Sequence, residues 1–339
     1  MTLSSHRGQF LADSLITRAL LLLLLSVPFS ALVILLVGDQ GLAPILVGFA
    51  TLLAALASPW FYAGEARPWR LVFFSTAPAV IGSLVACGVL VVSRDVIAYG
   101  GTQLLAAAAA VVVQSVDILK RHRGYSFRFA PHRIGLRLRD GLPAVLTAIM
   151  AALYVNAPLI AVTAIAPSVA PGYAMADRLF RYTKAFLAPF SQYAQGYVPA
   201  GAPAERKSRA TRALIGSSIA GAIAAITFAV LVPPVGSLLS SGEISVSYLV
   251  SGLLALAVLA VSISSVSGLS VLASIGGSRY IAVSTFVGAC LGIPAAICLT
   301  LLAGAVGAAT SMAVAEVVVV SIQLIVLPVM FRRWNEREQ

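Results

Sequence analysis

Long apolar runs follow one another along the whole chain, and this succession constrains the fold more than any other feature. A bilayer core about 30 Å thick is crossed by about 20 residues of helix, because backbone polar groups in lipid must hydrogen-bond within the spanning segment. Ten runs meet this criterion, at residues 15–37, 42–62, 71–93, 96–118, 143–165, 171–198, 211–234, 246–274, 279–302 and 304–331. The pattern predicts an all-α, polytopic membrane protein of about ten transmembrane helices.

The composition excludes several other classes of protein. Hydrophobic residues make up 60% of the chain and charged residues 10%, whereas soluble domains are about one-quarter charged. The net charge of +11 comes from basic residues in short segments between the apolar runs, so a nucleic-acid partner is not expected. Cys87, Cys290 and Cys298 lie in apolar runs without metal-ligand spacing, and no nucleophile and base are paired. We therefore expect no enzyme activity, no cofactor and no metal.

The basic residues also predict the orientation. With a cytoplasmic N-terminus, 19 of the 23 lysines and arginines fall in cytoplasmic segments, and only Arg94 falls in an outer turn. The other three lie within the sixth apolar run. This asymmetry follows the positive-inside rule and predicts a multi-pass protein of the bacterial cytoplasmic membrane with both termini in the cytoplasm.

The longest hydrophilic stretch, from Lys120 to Asp140, carries seven of the basic residues. It predicts three parts: an N-terminal bundle of four helices (1–118), a basic cytoplasmic linker (119–142) and a C-terminal bundle of six helices (143–339). The alternation of apolar residues in the linker fits a short element at the headgroup surface, and a plain solvated loop is the alternative.

Four charged residues are concentrated in the sixth run. Asp177, Arg178, Arg181 and Lys184 advance at about 100° per residue, which places them within about a 120° arc of one helix face. Each charge inside a span costs about 2.5–3.5 kcal/mol on insertion scales, so such residues are functional candidates. The cations predict a binding site for a phosphate or diphosphate. Alternatively, Asp177 pairs with Arg178 or Arg181 and the remaining cations reach toward the interface.

Three further polar residues in apolar runs are candidates. Glu316 lies near the middle of the tenth run and is either a site for a coupling proton or sodium ion or a structural polar contact. Gln103, Gln114 and Asp117 share one face of the fourth run, where they offer polar contacts to a cavity between the bundles. Interfacial anchoring explains Asp117 equally well.

Several segments resemble signatures of one transporter family. They are the aromatic stretch Ser58–Gly64, the segment Leu138–Pro143 at the start of the second bundle, Tyr173–Leu179, and the glycine and alanine stretch Gly304–Ala309 with Glu316 downstream. Together they resemble the polysaccharide transporter family, the Wzx-type O-antigen and exopolysaccharide flippases of the MATE-like multidrug/oligosaccharidyl-lipid/polysaccharide exporter superfamily.

The resemblance implies two pseudo-symmetric bundles around a central cavity, which moves an undecaprenyl-diphosphate-linked oligosaccharide repeat unit outward for surface polysaccharide biosynthesis. It implies that Arg178, Arg181 and Lys184 bind the substrate, and that a polysaccharide polymerase and glycosyltransferases are partners besides the bilayer. The family has six helices per bundle, whereas four precede the linker here, so the first two helices are expected to be missing, through a late start or a shortened homologue.

Two other functions remain open at this point. A MATE-like drug or organic-cation exporter would present acidic and aromatic residues to its substrate. A non-transporting membrane scaffold would hold glycosyltransferases through the basic linker.

Overall fold

The computed structural model describes residues 3–37, 42–65, 68–121, 131–201 and 203–338, and regular structure in these ranges is helical throughout. The helices are α1 (Leu3–Val37), α2 (Leu42–Ala54), α3 (Pro59–Gly64), α4 (Pro68–Leu71), α5 (Ala77–Ser93), α6 (Val96–Arg121), α7 (Pro131–Ile165), α8 (Ala170–Tyr197), α9 (Pro203–Leu239), α10 (Tyr248–Ser265) and α11 (Ser278–Glu338). Short π-helical segments connect α4 to α5 (Val72–Thr76) and extend α10 (Val266–Leu272).

Within the described ranges, eight helical segments are long and apolar enough to cross a membrane. They are Asp13–Leu35, Leu42–Tyr62, Trp69–Ser93, Val96–Arg121, Val145–Ile165, Glu205–Leu239, Tyr248–Ile275 and Ser278–Arg332. This is the organisation of a multi-pass, all-α membrane protein. The expected ten spans differ from these eight in two places: α8 carries four charged residues and is not among the eight, and α11 contains two of the expected spans.

Helix α11 contains a sharp break between its two halves. The backbone leaves helical geometry at Ala303 (φ −140°, ψ 17°) and Gly304 (φ 54°, ψ −129°). The conformation at Gly304 is one that essentially only glycine adopts without strain, because a Cβ atom would clash with the backbone. The turn therefore depends on a glycine at this position.

The two halves of α11 pack side by side in antiparallel directions. A Cβ atom at Gly307 would overlap the carbonyl group of Leu299, and one at Gly292 would lie 3.0 Å from the Cβ of Ala315. Small residues permit such close backbone approach, which is how helices associate in lipid. Residues 278–302 and 305–338 thus form a helical hairpin; the total of ten membrane crossings stays a prediction.

The chain divides into two compact units, Met1–Gly141 and Leu142–Gln339. The boundary falls at the end of the predicted linker. Residues 122–130 of that linker lie outside the described residues, so the two alternatives for its conformation are not decided there. From Pro131 onward, α7 is one continuous helix to Ile165, and it begins well before the predicted start at residue 143.

In the second unit, α10 packs against α8, α9 and α11. The core contains the fully buried side chains of Phe180 and Leu254, and the Phe180 ring meets Phe228 edge to face. Gly221 of α9 lies against Ser262 of α10, where an added Cβ would be only 2.7 Å from the serine Cβ. This packing fixes the buried face of α8 and therefore also the direction of its charged residues.

In the first unit, an arginine holds α1 against the segment that follows α2. Arg18 Nη1 donates to the carbonyl oxygen of Ala57 at 3.1 Å, and its guanidinium lies 5.3 Å from the centroid of the Trp60 ring. The aromatic stretch of the family resemblance thus has a packing role here.

Candidate functional site

The charged residues of the predicted site lie on α8, and their positions follow from its amphipathic pattern. Tyr173, Ala176, Asp177 and Phe180 recur at three- and four-residue spacing, and all are buried in the second unit. Arg178 follows Asp177 and is exposed. The same helix therefore presents a carboxylate inward and a guanidinium outward one residue later.

Asp177 pairs with Arg181, one of the two partners that the sequence suggests. Arg181 Nε donates to Asp177 Oδ2 at 2.7 Å, and Arg181 Nη2 donates to Oδ1 of Asn156 on α7 at 3.0 Å. The Asp177 side chain is 6% exposed and the Arg181 side chain 41%. The buried carboxylate is thus neutralised by a cation that retains contact with the surroundings.

Glu316 lies beside the third cation of α8. It is 3% exposed, and its Oε1 accepts a hydrogen bond of 3.1 Å from Tyr154 Oη. Lys184 interacts electrostatically with Glu316, and its Nζ lies 5.5 Å from the centroid of the Phe180 ring. The three cations of α8 are therefore balanced by two carboxylates, Asp177 and Glu316.

Arg178 is the remaining cation of α8, and it pairs with neither of these two carboxylates. Within the part of the chain that the structure describes, its guanidinium makes no ion pair or hydrogen bond and is exposed. At 1.5 Å per residue it lies about 10 Å along the helix from Pro171. An exposed arginine without a carboxylate partner presents five donors to an anionic group.

Gln114 and Asp117 belong to the first unit and serve its own structure. Gln114 Oε1 accepts from the backbone N–H of Ser58 at 2.8 Å, just before α3 begins. Asp117 binds Arg70 at 3.0 Å and Arg121 at 2.8 Å, and it also accepts a hydrogen bond from Tyr62 Oη at 3.1 Å. Asp117 thus joins side chains of its own unit, and both expected roles, cavity contact and interfacial anchor, stay predictions.

A cavity of about 480 Å³ lies within the first unit, between α2, α5 and α6. Gln103 and Gln114 line it together with Thr51, Ser75 and several alanines. Gln103 and Gln114 of the fourth apolar run therefore border a cavity of their own unit, and the expected cavity between the bundles stays a prediction.

Sequence reasoning missed the polar residues that α7 contributes. Tyr154 and Asn156 are among the few polar side chains of the apolar run 143–165. Their presence in such a run was the sequence signal that could have marked them as candidates. Their partners, Glu316 and Arg181, lie far away in sequence, so the run alone did not connect them. A third polar cluster was missed in the same way: Ser267 Oγ donates to Gln323 Oε1 at 2.6 Å.

Comparisons with known proteins do not assign this chain to a family. No protein-family model matches the chain, and no significant similarity to a curated protein or to a solved structure is found. The resemblance to the polysaccharide flippases therefore stays a prediction that rests on its sequence motifs.

Proposed function

We propose that this chain is a flippase that moves an undecaprenyl-diphosphate-linked oligosaccharide repeat unit across the bacterial cytoplasmic membrane for surface polysaccharide biosynthesis. The observation that carries the proposal is the exposed Arg178, which has no carboxylate partner among the described residues. An exposed guanidinium without a carboxylate partner is free to bind the phosphate oxygens of a substrate through charge-assisted hydrogen bonds.

The chemistry of α8 fits a diphosphate better than a single carboxylate. Arginine binds phosphate oxygens through two parallel, charge-assisted hydrogen bonds. Arg181 commits its Nε to Asp177 and its Nη2 to Asn156, which leaves Nη1 as a further donor one turn from Arg178. Lys184 adds positive potential about 9 Å further along α8, where Glu316 partly balances it.

An exporter of organic cations is supported less well. Such a protein needs a carboxylate that its substrate can reach. The two deep acids of the second unit are both nearly inaccessible and already engaged: Asp177 binds Arg181, and Glu316 accepts from Tyr154. Binding a cationic drug at either acid would first require breaking these contacts.

A direct test is transbilayer movement of a defined lipid in proteoliposomes. The probe is undecaprenyl-diphosphate-linked N-acetylglucosamine that carries a nitrobenzoxadiazole dye on the sugar, and added dithionite bleaches the dye in the outer leaflet only. We expect the wild-type protein to move inner-leaflet lipid to the outer leaflet, where dithionite bleaches its dye. In the Arg178→Gln variant this second phase of bleaching should be at least tenfold slower. Arg178→Lys should retain part of the rate, because it keeps the charge but loses the bidentate geometry.

The matched control is Arg212→Gln, which removes an exposed arginine of α9 and should leave the rate unchanged. Inorganic pyrophosphate should compete with the probe. Wild-type movement of dye-labelled phosphatidylcholine as fast as the diphosphate lipid, or an undiminished rate in the Arg178→Gln variant, would overturn the proposal.

A further inference from the structure

An apolar groove runs between α8 and α9 in the second unit. It has a volume of about 550 Å³ and is lined almost entirely by apolar and aromatic atoms. Along α8 its lining includes Leu179, Tyr182 and Phe186, and along α9 Ile223 and Leu231. The Phe186 side chain is 83% exposed and Tyr182 is 67% exposed, so the groove is open on its outer side.

The position of Arg178 relative to this groove follows from helix geometry. At about 100° per residue, Tyr182 lies about 40° from Arg178 around α8, and Phe186 about 80° in the same sense. Arg181 and Lys184 lie about 60° and 120° from Arg178 in the opposite sense. Arg178 therefore stands at the border between the apolar groove and the ion-paired face.

We propose that the groove binds the polyisoprenoid tail of a lipid while Arg178 holds its diphosphate, an assignment that rests on the proposed function and names the path of its substrate's tail. A cation at the edge of an apolar groove matches an amphiphile with an anionic head and a long apolar tail. The tail remains in the groove, in contact with the bilayer, and the head group is held on the side of α8 that carries the ion pairs.

Ordinary phospholipids do not match this arrangement. Acyl chains of the bilayer are as apolar as the groove, so apolar contact alone gives the groove no preference for one lipid tail over another. Selectivity must come from the head group. Arg178 is exposed and makes no ion pair among the described residues, and a diphosphate offers it more negative charge than the single phosphate of phosphatidylcholine. A polyprenol with the same tail has no anionic group for this contact.

The test uses the full chain in phosphatidylcholine nanodiscs with three photoactivatable lipids, each at the same trace concentration. They are a polyprenyl diphosphate and a polyprenol with the same diazirine in the tail, and a phosphatidylcholine with a diazirine in one acyl chain. Peptide mass spectrometry locates the adducts. We expect the diphosphate lipid to label residues 179–187 and 220–235 at least fivefold more than the polyprenol or the phosphatidylcholine.

Variants separate the contributions of head and tail. Arg178→Gln should reduce labelling by the diphosphate lipid to the level of the polyprenol. Arg178→Lys should label less than the wild type but still more with the diphosphate lipid than with the polyprenol. Thr227→Trp, which fills the groove from an exposed position of α9, should reduce labelling by the diphosphate lipid as well. Arg212→Gln serves as the charge-matched control and should change nothing.

Equal labelling of the groove by all three lipids, or diphosphate-lipid adducts only elsewhere, would overturn this inference. The outcome is distinguishable from failure of the proposed function. Movement of the dye-labelled lipid without groove labelling would contradict only the tail site, and groove labelling without movement would contradict only the flippase.

Discussion

Tyr154 on α7 donates a hydrogen bond of 3.1 Å to Glu316 in the C-terminal half of α11, although 162 residues separate them in the chain. Both side chains are buried, with exposures of 6% and 3%. Tyr154→Phe would leave a buried carboxyl group without this donor, at a cost of about 1–3 kcal/mol. We expect a lower thermal unfolding temperature of the detergent-solubilised protein.

Tyr248→Phe provides the control, because Tyr248 is 68% exposed at the start of α10. Glu316→Gln should cost less than Glu316→Leu, since the amide oxygen can still accept from Tyr154. Equal unfolding temperatures for Tyr154→Phe and Tyr248→Phe would show that the hydrogen bond contributes nothing to stability.

Arg178 and Arg181 are expected to differ in their effect on stability. Arg181→Gln leaves the buried carboxylate of Asp177 unpaired and should lower the free energy of unfolding by about 1–3 kcal/mol, a range that allows for the solvent access of Arg181. Arg178→Gln should change stability by at most about 0.5 kcal/mol, because Arg178 is exposed and makes no ion pair among the described residues. Thermal unfolding of both variants measures the difference, and the reverse ranking would contradict this assignment of roles.

Asp117 holds three side chains of the first unit. Its removal in Asp117→Asn weakens the contacts to Arg70 and Arg121 and leaves Tyr62 Oη with a poorer acceptor. We expect a loss of about 1–3 kcal/mol, seen as a lower unfolding temperature. The control is Asp95→Asn at the exposed start of α6, where asparagine can accept the same hydrogen bond from the Ile97 N–H. If Asp95→Asn lowered the unfolding temperature as much as Asp117→Asn, a special role for Asp117 would be ruled out.

The hairpin of α11 is testable by disulfide formation. In a background without native cysteines, Gly292→Cys and Ala315→Cys should cross-link on mild oxidation. A Cβ added at residue 292 would lie 3.0 Å from the Cβ of Ala315, so a small separation of the two helices brings the pair to the roughly 3.5–4.5 Å of a disulfide. In one straight helix these residues would be about 35 Å apart and could not react. The pair Gly292→Cys and Leu324→Cys should not cross-link. Absence of the first cross-link, with both thiols shown to be present, would contradict the hairpin.

The predicted orientation can be read from the accessibility of single cysteines. Glu243→Cys lies in the exposed turn between α9 and α10 and should react with a membrane-impermeant maleimide in intact cells. Lys207→Cys, exposed near the start of α9, should react only after permeabilisation. The positive-inside rule requires this difference. Reaction of Lys207→Cys in intact cells would invert the orientation.

The sequence by itself determined the class of this protein and the placement of most helices along the chain. Apolar runs of about 20 residues can satisfy their backbone hydrogen bonds in lipid only as helices, so composition and length decide the local structure without tertiary information. For the same reason the run predicted at 96–118 is observed as α6, Val96–Arg121. The helical period placed the charges of α8 within an arc of about 120°, and in the structure Asp177 at one side of this arc is buried whereas Arg178 is exposed.

Only the tertiary structure decided which of those charges are balanced. Helical spacing allowed Asp177 to pair with either Arg178 or Arg181, and side-chain geometry selected Arg181, which also reaches Asn156 on another helix. The contacts of Glu316 with Tyr154 and Lys184 join residues from three separate helices, and no local pattern records them. Packing of helices brings together residues that are distant in sequence. That Arg178 is the cation of α8 without an ion pair among the described residues therefore became visible only in the folded structure.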